Sequence, residues 1–229
     1  MAVEKAGERT DGDSGGRLSD LAYAGVLKAL FDRRLPAGAF VSQNDLVQLI
    51  GVPVGPLRDA LRVLEAEGIL TIQPRSGIQI TKPGAELTKS TYQLRAIIER
   101  AAIRVFCETA SDEEIAAIRL RHLELLLKFE TAGLSADVLG ELEEMERLLH
   151  DSVIAALRNP LAENTYRRMH TYLRLVRLER RMTVPIAQRS LREHLEIIAA
   201  VEARDADAAE KALVAHFTAA LQRHLGMFI

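Results

Sequence analysis

Glu146 and His150 lie four residues apart in a stretch of helical periodicity, a spacing that sets both side chains on one face of a helix. His194, in Arg192-Glu193-His194-Leu195, and His216, in Ala215-His216-Phe217, occupy two later stretches of the same kind. Three neutral imidazoles and a carboxylate form a donor set for zinc, nickel, manganese or a similar divalent ion, with coordination positions left for water or a ligand. The competing reading is that a Glu/His pair at this spacing arises by chance and these residues serve packing. The chain has six histidines. His122, His170 and His224 show no comparable pattern and read as surface or internally satisfied residues, with His170 as a substitute ligand.

A second group of residues offers different chemistry. Leu57, Ala60, Leu61 and Leu64 recur at helical spacing and make one apolar face, so Arg58, Asp59 and Arg62 point away from it. Laid in a major groove, such a helix brings Arg58 to bases or phosphates and Arg62 to phosphate. The alternative is that both arginines are solvated surface positions. Downstream, the short β-branched runs 69–73 and 78–81 flank Pro74-Arg75-Ser76-Gly77. That pattern predicts a hairpin whose tip offers Arg75 and Ser76 to phosphate or the minor groove, with Gly77 easing the turn.

These groups need elements to hold them. A first helix of about 12 residues starts at Leu21 and stops near Arg33-Arg34. Ser42 is an N-cap for a helix to Ile50 with Asp45 in its first turn, and Leu46, Leu49 and Ile50 are its buried stripe. Gly51 and Pro53 end that helix, and the third begins by Pro56 and runs to Glu67. With Ile72, Ile78 and Ile80 turned toward the helices, the order is that of a winged helix-turn-helix. Lys82-Pro83-Gly84 breaks the pattern. We therefore expect a disordered tail over 1–16, a DNA-binding domain over 17–83 and a helical domain over 84–229. Six helices are predicted in the last, at about 87–109, 112–131, 135–157, 161–182, 185–203 and 205–225, the second opened by Ser111-Asp112-Glu113-Glu114. The fold class is mainly α, a winged helix-turn-helix followed by an antiparallel six-helix bundle.

Composition bounds what this assembly does. At 229 residues the chain suits one large domain or two modest ones. No apolar run approaches the roughly 18 residues that span a bilayer, and the first twenty residues lack a signal peptide's apolar centre, so a cytoplasmic protein with no membrane partner is expected. Cys107 is the sole cysteine, which excludes an intramolecular disulfide and a thiolate metal cluster, and its apolar neighbours make it a buried small residue. Net charge is −2, yet residues 21–83 carry seven Lys/Arg against five Asp/Glu. The basic excess thus falls on the predicted DNA-reading segment, and dimerisation doubles it.

The stretch LPAGAFVSQNDLVQLIGVPVGPLRDALRVLEAEGIL with its wing, Glu146 and His150 followed by Asn159-Pro160, Glu193-His194, and Ala215-His216 together resemble the GntR family of bacterial transcription regulators, in the FadR-type branch with a helical FCD ligand-binding domain. The resemblance covers about residues 20–226. It implies a homodimer that binds a near-palindromic double-stranded operator and answers to a small effector. The DNA-contacting set it supports is Asn44, Gly55, Arg58, Arg62, Arg75, Ser76 and Gly77. It also implies a metal held by an acidic residue and three histidines, here Glu146, His150, His194 and His216, with zinc first and nickel or manganese as alternatives. Family effectors are commonly small carboxylates that meet the metal and nearby arginines, and Arg95 is the positional candidate.

Three features depart from the family. The recognition helix opens with Pro53-Val54-Gly55-Pro56 where members usually have Ser-Arg-Thr-Pro, so a serine cap and an arginine that commonly meets DNA are missing. Glu146 stands in place of the more usual aspartate, and the basic excess of the DNA-reading half is small. The leading reading is a ligand-controlled regulator, most simply a repressor, and not an enzyme. The rivals are a metal-dependent enzyme, against which stands the lack of a separate general base at motif spacing, and a helical ligand-binding protein that does not bind DNA.

Overall fold

A computed structural model describes residues 11–133, 135–178 and 182–226. It divides into two compact units that meet in sequence at Pro83 and Gly84. The chain is mainly helical: among the described residues a winged helix-turn-helix is followed by a six-helix bundle.

In the first unit α1 (Asp11–Phe31), α2 (Gln43–Ile50) and α3 (Val54–Ala66) pack around Ala22, Val26, Leu30, Leu46, Leu57, Leu61 and Leu64. Helix α1 begins at Asp11, so the expected tail is helical from there to residue 16; residues 1–10 lie outside the described residues. The apolar period from Leu21 marked only the part of α1 that packs. At Gly25 an added Cβ would stand 2.6 Å from Ile50 Cγ2, so the glycine lets α2 close on α1. Of the expected α2 stripe, Leu46 is fully buried while Leu49 and Ile50 are half-buried, because so short a helix covers little surface.

Local chemistry sets the boundaries. Ser42 and Asp45 form a reciprocal capping box: the Asp45 amide donates to Ser42 Oγ at 3.1 Å and the Ser42 amide to Asp45 Oδ2 at 2.9 Å. Gly51, at φ 76°, takes the left-handed position that ends α2. Pro53 precedes α3 without any side-chain cap, and the helix starts at Val54, ahead of Pro56.

The sheet has three strands rather than two. Besides β2 (Leu70–Gln73) and β3 (Gly77–Ile80), Phe40–Val41 forms β1, and the order is β1-β3-β2, all antiparallel. Two residues are too short for a periodicity to reveal. Leu70, Ile78 and Ile80 face the core, whereas Ile72, nearer the wing tip, is only half-buried.

The second unit comprises α4 (Ala85–Thr109), α5 (Asp112–Ala132), α6 (Ala136–Ala155), α7 (Pro160–Leu178), α8 (Val184–Glu202) and α9 (Ala206–Leu225). Side-chain caps open four of them, through Ser111, Ser135, Asn159 and Asp205. Helix α4 packs on α6, α7 and α9, and α8 on α5 and α9, around a core that includes Ile103, Phe106, Leu149, Leu173, Ile197 and Phe217. Cys107 is buried, as expected. Among the described residues no helix is long and apolar enough to cross a membrane.

Candidate effector and DNA-reading sites

The bundle brings Glu146 and His150 from α6, His194 from α8 and His216 from α9 to one buried point, with a ligand atom of each within 4.8 Å of all the others. The i, i+4 spacing on α6 supplies two donors, and the packing of α8 on α9 delivers the other two. The imidazoles stand face to edge or stacked, with ring centroids 4.6 Å apart for His194–His216 and 5.1 Å for His150–His194. His170 is not part of the cluster. It sits beside the Tyr166 ring, and burial with nearby arginines lowers its pKa to about 3.

Each histidine is oriented through Nδ1. His150 Nδ1 donates to Glu99 Oε2 at 2.6 Å and His216 Nδ1 to Glu193 Oε2 at 2.9 Å. His194 uses a two-step arrangement. His122 Nδ1 must donate to the Ile118 carbonyl, 2.7 Å away, because a carbonyl only accepts; its Nε2 then accepts from His194 Nδ1 at 3.2 Å. In all three histidines of the cluster Nε2 is therefore the lone-pair nitrogen. Those three Nε2 atoms are buried with no hydrogen-bond partner. Burial holds the His150 and His194 pKa values well below the ordinary imidazole range, which keeps these rings neutral.

Glu146 completes the set as an anion. Burial disfavours its charge, but the Arg177 guanidinium holds the carboxyl well below its ordinary value. Arg177 Nη2 donates to Oε2, and Ser190 Oγ to Oε1 at 2.8 Å. Buried polar atoms without partners are uncommon, and three of them converging beside a carboxylate match what a divalent ion requires. Glutamate in place of aspartate reaches this point with its carboxylate already oriented.

Arg95 lies beside the cluster on α4, fully buried. Its Nε donates to Glu99 Oε1 at 2.6 Å, its guanidinium carbon sits 4.4 Å from the centre of the Phe217 ring, and its Nη1 has no partner. Glu99 thus joins Arg95 to His150, one oxygen to each. Burial raises the Glu99 pKa, while Arg95 pulls it back. Glu193 is the opposite case: burial is overcome by hydrogen bonds from Arg223 and His216, and its pKa drops to about 2. Glu99, His122, Glu193, Arg177 and Ser190 escaped the sequence analysis as members of this site. Glu99 lies in α4, His122 in α5 and Arg177 in α7, while Ser190 and Glu193 share α8 with His194; the sequence signals were Glu99 four residues after Arg95, and Ser190 and Glu193 four and one residues before His194.

On the winged unit, the buried face of α3 turns Val54, Gly55, Arg58, Asp59 and Arg62 outward. Arg58 Nε donates to Gln43 Oε1 at 3.2 Å, and Arg62 stands 3.5 Å from Asp59. Asn44 is exposed at the start of α2. At the wing tip Arg75 has φ 66° and is exposed with Ser76. Gly77 has a reason within the fold: an added Cβ would stand 2.8 Å from the Val41 carbonyl oxygen and 2.9 Å from the Phe40 ring.

The family model "Bacterial regulatory proteins, gntR family" matches residues 18–80, and the FCD domain model matches residues 90–219. The uncharacterized HTH-type transcriptional regulator YdhC of Bacillus subtilis is 25% identical over 195 residues, covering 85% of each chain. A transcriptional regulator GntR from Rhodococcus sp. RHA1 shares the fold with a TM-score of 0.75 at 19% identity, over 93% of this chain and 100% of that one. The Zn2+-bound FCD domain of TM0439 superposes with a TM-score of 0.50 at 20% identity, over 62% of this chain and 94% of that domain.

Proposed function

Because the chain belongs to the GntR family of bacterial transcription regulators and carries an FCD domain, we propose that this DNA-binding regulator is a repressor whose helical unit binds a small carboxylate through a divalent metal. The observation that carries the effector half is the convergence of three buried, unpartnered Nε2 atoms on Glu146, beside the unpartnered Nη1 of Arg95. Glu146, His150, His194 and His216 would hold the ion. Zinc suits this donor set and is the ion named for the TM0439 domain, with nickel or manganese as alternatives. When bound, the ion supplies open coordination positions to carboxylate oxygens.

The chain's own residues do the rest. Arg95 Nη1 meets the effector's carboxylate with a charge-assisted hydrogen bond, and the Phe217 ring under the guanidinium keeps it aimed. Glu99 ties that arginine to His150, so effector and ion bear on one carboxylate. The neighbouring carboxylates are engaged, Glu99 by Arg95 and His150 and Glu193 by His216 and Arg223, which leaves neither to activate water. The site is a binding site, and the chain is a regulator rather than an enzyme.

In the DNA half, Arg58 reads a base from the major groove, while Asn44, Gly55, Arg62, Arg75 and Ser76 meet the duplex backbone or groove edges and Gly77 sets the wing. A homodimer in the cytoplasm would place two α3 helices on half-sites about 34 Å apart in a near-palindromic operator. Exposed Leu120, Leu123 and Leu127 on α5 and Leu94, Ile97 and Leu161 on α4 and α7 are apolar surface for a second copy. The effector changes DNA affinity by binding the two states of the dimer unequally.

The test combines elemental analysis with selection of genomic fragments on the purified protein, followed by fluorescence anisotropy on the selected site with a panel of small carboxylates. One equivalent of metal per chain and a carboxylate that weakens DNA binding are expected. A metal-free protein whose DNA affinity ignores every carboxylate would contradict the reading.

A further inference from the structure

The first turn of α3 carries none of the hydrogen-bonding side chains that usually read bases. Pro53 and Pro56 have no donor, Gly55 has no side chain, and Val54 is apolar. Val54 is nevertheless 37% exposed, at the very start of α3 on the edge of the face that Leu57, Ala60, Leu61 and Leu64 bury. It shares a stripe with Arg58, four residues on, which puts the two about 6 Å apart along the helix axis. In front of the intervening Gly55 the space is open, for a Cβ built there meets nothing within 4 Å.

A recognition helix enters the major groove with its N-terminal residues at the base edges. Of the four bases, thymine alone presents a methyl group there, at C5, and guanine presents the two acceptors that suit an arginine. We propose that Val54 is a specificity-determining residue that packs its methyl groups on the 5-methyl of a thymine in each half-site. Gly55 leaves room for the backbone to come close, and Arg58 meets a guanine about two base pairs away, since about 6 Å of helix rise spans roughly two base steps of 3.4 Å. The apolar first turn therefore exchanges one hydrogen-bonded base contact for a methyl contact and keeps sequence selectivity.

This rests on α3 being the recognition helix, and the experiment separates the two claims. Genomic fragments retained by the full-length protein define the site. Each thymine in a half-site is then replaced by deoxyuridine, which removes only the methyl group, and Kd is read by anisotropy for the wild type, Val54→Ala and Arg58→Ala. At one thymine, replacement should weaken wild-type binding about fourfold per half-site, the worth of one buried methyl group. Val54→Ala, which melts like the wild type because the side chain is exposed, should be insensitive at that thymine, while Arg58→Ala stays sensitive there. If deoxyuridine costs nothing at any position, or costs Val54→Ala as much as the wild type, the methyl contact is overturned while DNA binding stands. If Arg58→Ala binds like the wild type, or no fragment is retained, the assignment of α3 falls with it.

Discussion

In the winged unit the outward side chains are held by single exposed contacts, Arg58 by Gln43 and Arg62 by Asp59, whereas in the bundle every candidate ligand histidine is buried and fixed at Nδ1, two by a buried partner and His216 by the part-buried Glu193. Exposed pairs of the first kind contribute little to stability and are cheaply exchanged for a phosphate or a base. Buried arrangements of the second kind are costly to leave incomplete, since each unpartnered atom has given up water. The difference teaches where each site gets its precision. The reading surface is completed by DNA, while the effector site is prepared in advance by its neighbours.

The sharpest way to break this comparison is to remove a prepared donor. His194→Ala should lower metal affinity by more than the roughly 10–100-fold that losing an orienting partner costs. Competition against a chromophoric chelator reads this, and unchanged affinity removes His194 from the ligand set. Next comes Arg58→Ala, expected to cost about 1–3 kcal/mol of operator binding and to leave metal affinity untouched. A parallel loss of metal would mean that the two sites are not prepared separately.

His122→Phe sharpens the same point, because it touches no proposed ligand position and only frees His194 Nδ1. Metal affinity should fall roughly 10–100-fold with the helical content unchanged. Gly77→Ala probes the wing. Its added Cβ collides with the Val41 carbonyl, and we expect a loss of about 1–3 kcal/mol in thermal or urea unfolding of the winged unit, with no change in metal affinity.

The smallest effect is that of pH. Buried His150 and His194 hold pKa values well below 6.5, so between that value and their folded values the unfolded chain binds protons that the folded one refuses. Metal-free protein should keep its full stability above about pH 6.5 and lose some as pH falls below it. Urea midpoints that do not fall between pH 7.5 and 5.5 would argue that these rings are not buried neutral.

How far the sequence disclosed these sites follows from the range of the interactions. Leu57, Ala60, Leu61 and Leu64 announced α3 because a helix buries a periodic face, and Glu146 with His150 announced half of the cluster because both sit on one turn. Several of the bundle's helix starts were equally legible, from the capping box at Ser111 and from the breaks at Asn159-Pro160 and Asp205, whereas the helix expected over 161–182 ends at Leu178, with 179–181 outside the described residues. The orienting partners were not, since His122 meets His194 across 72 residues and Glu99 meets His150 across 51. Strand β1 was missed because Phe40–Val41 has pairing but no period, and the start of α1 because Asp11 precedes its apolar stripe.

The most direct test of the account titrates a selected operator duplex with metal-loaded and with chelator-stripped protein, each with and without the carboxylate that raises thermal stability most in a screen. The account predicts that the carboxylate weakens DNA binding for the loaded protein and leaves the stripped protein unaffected. An equal effect on both would contradict the claim that the effector reaches the winged unit by way of the metal held by Glu146, His150, His194 and His216.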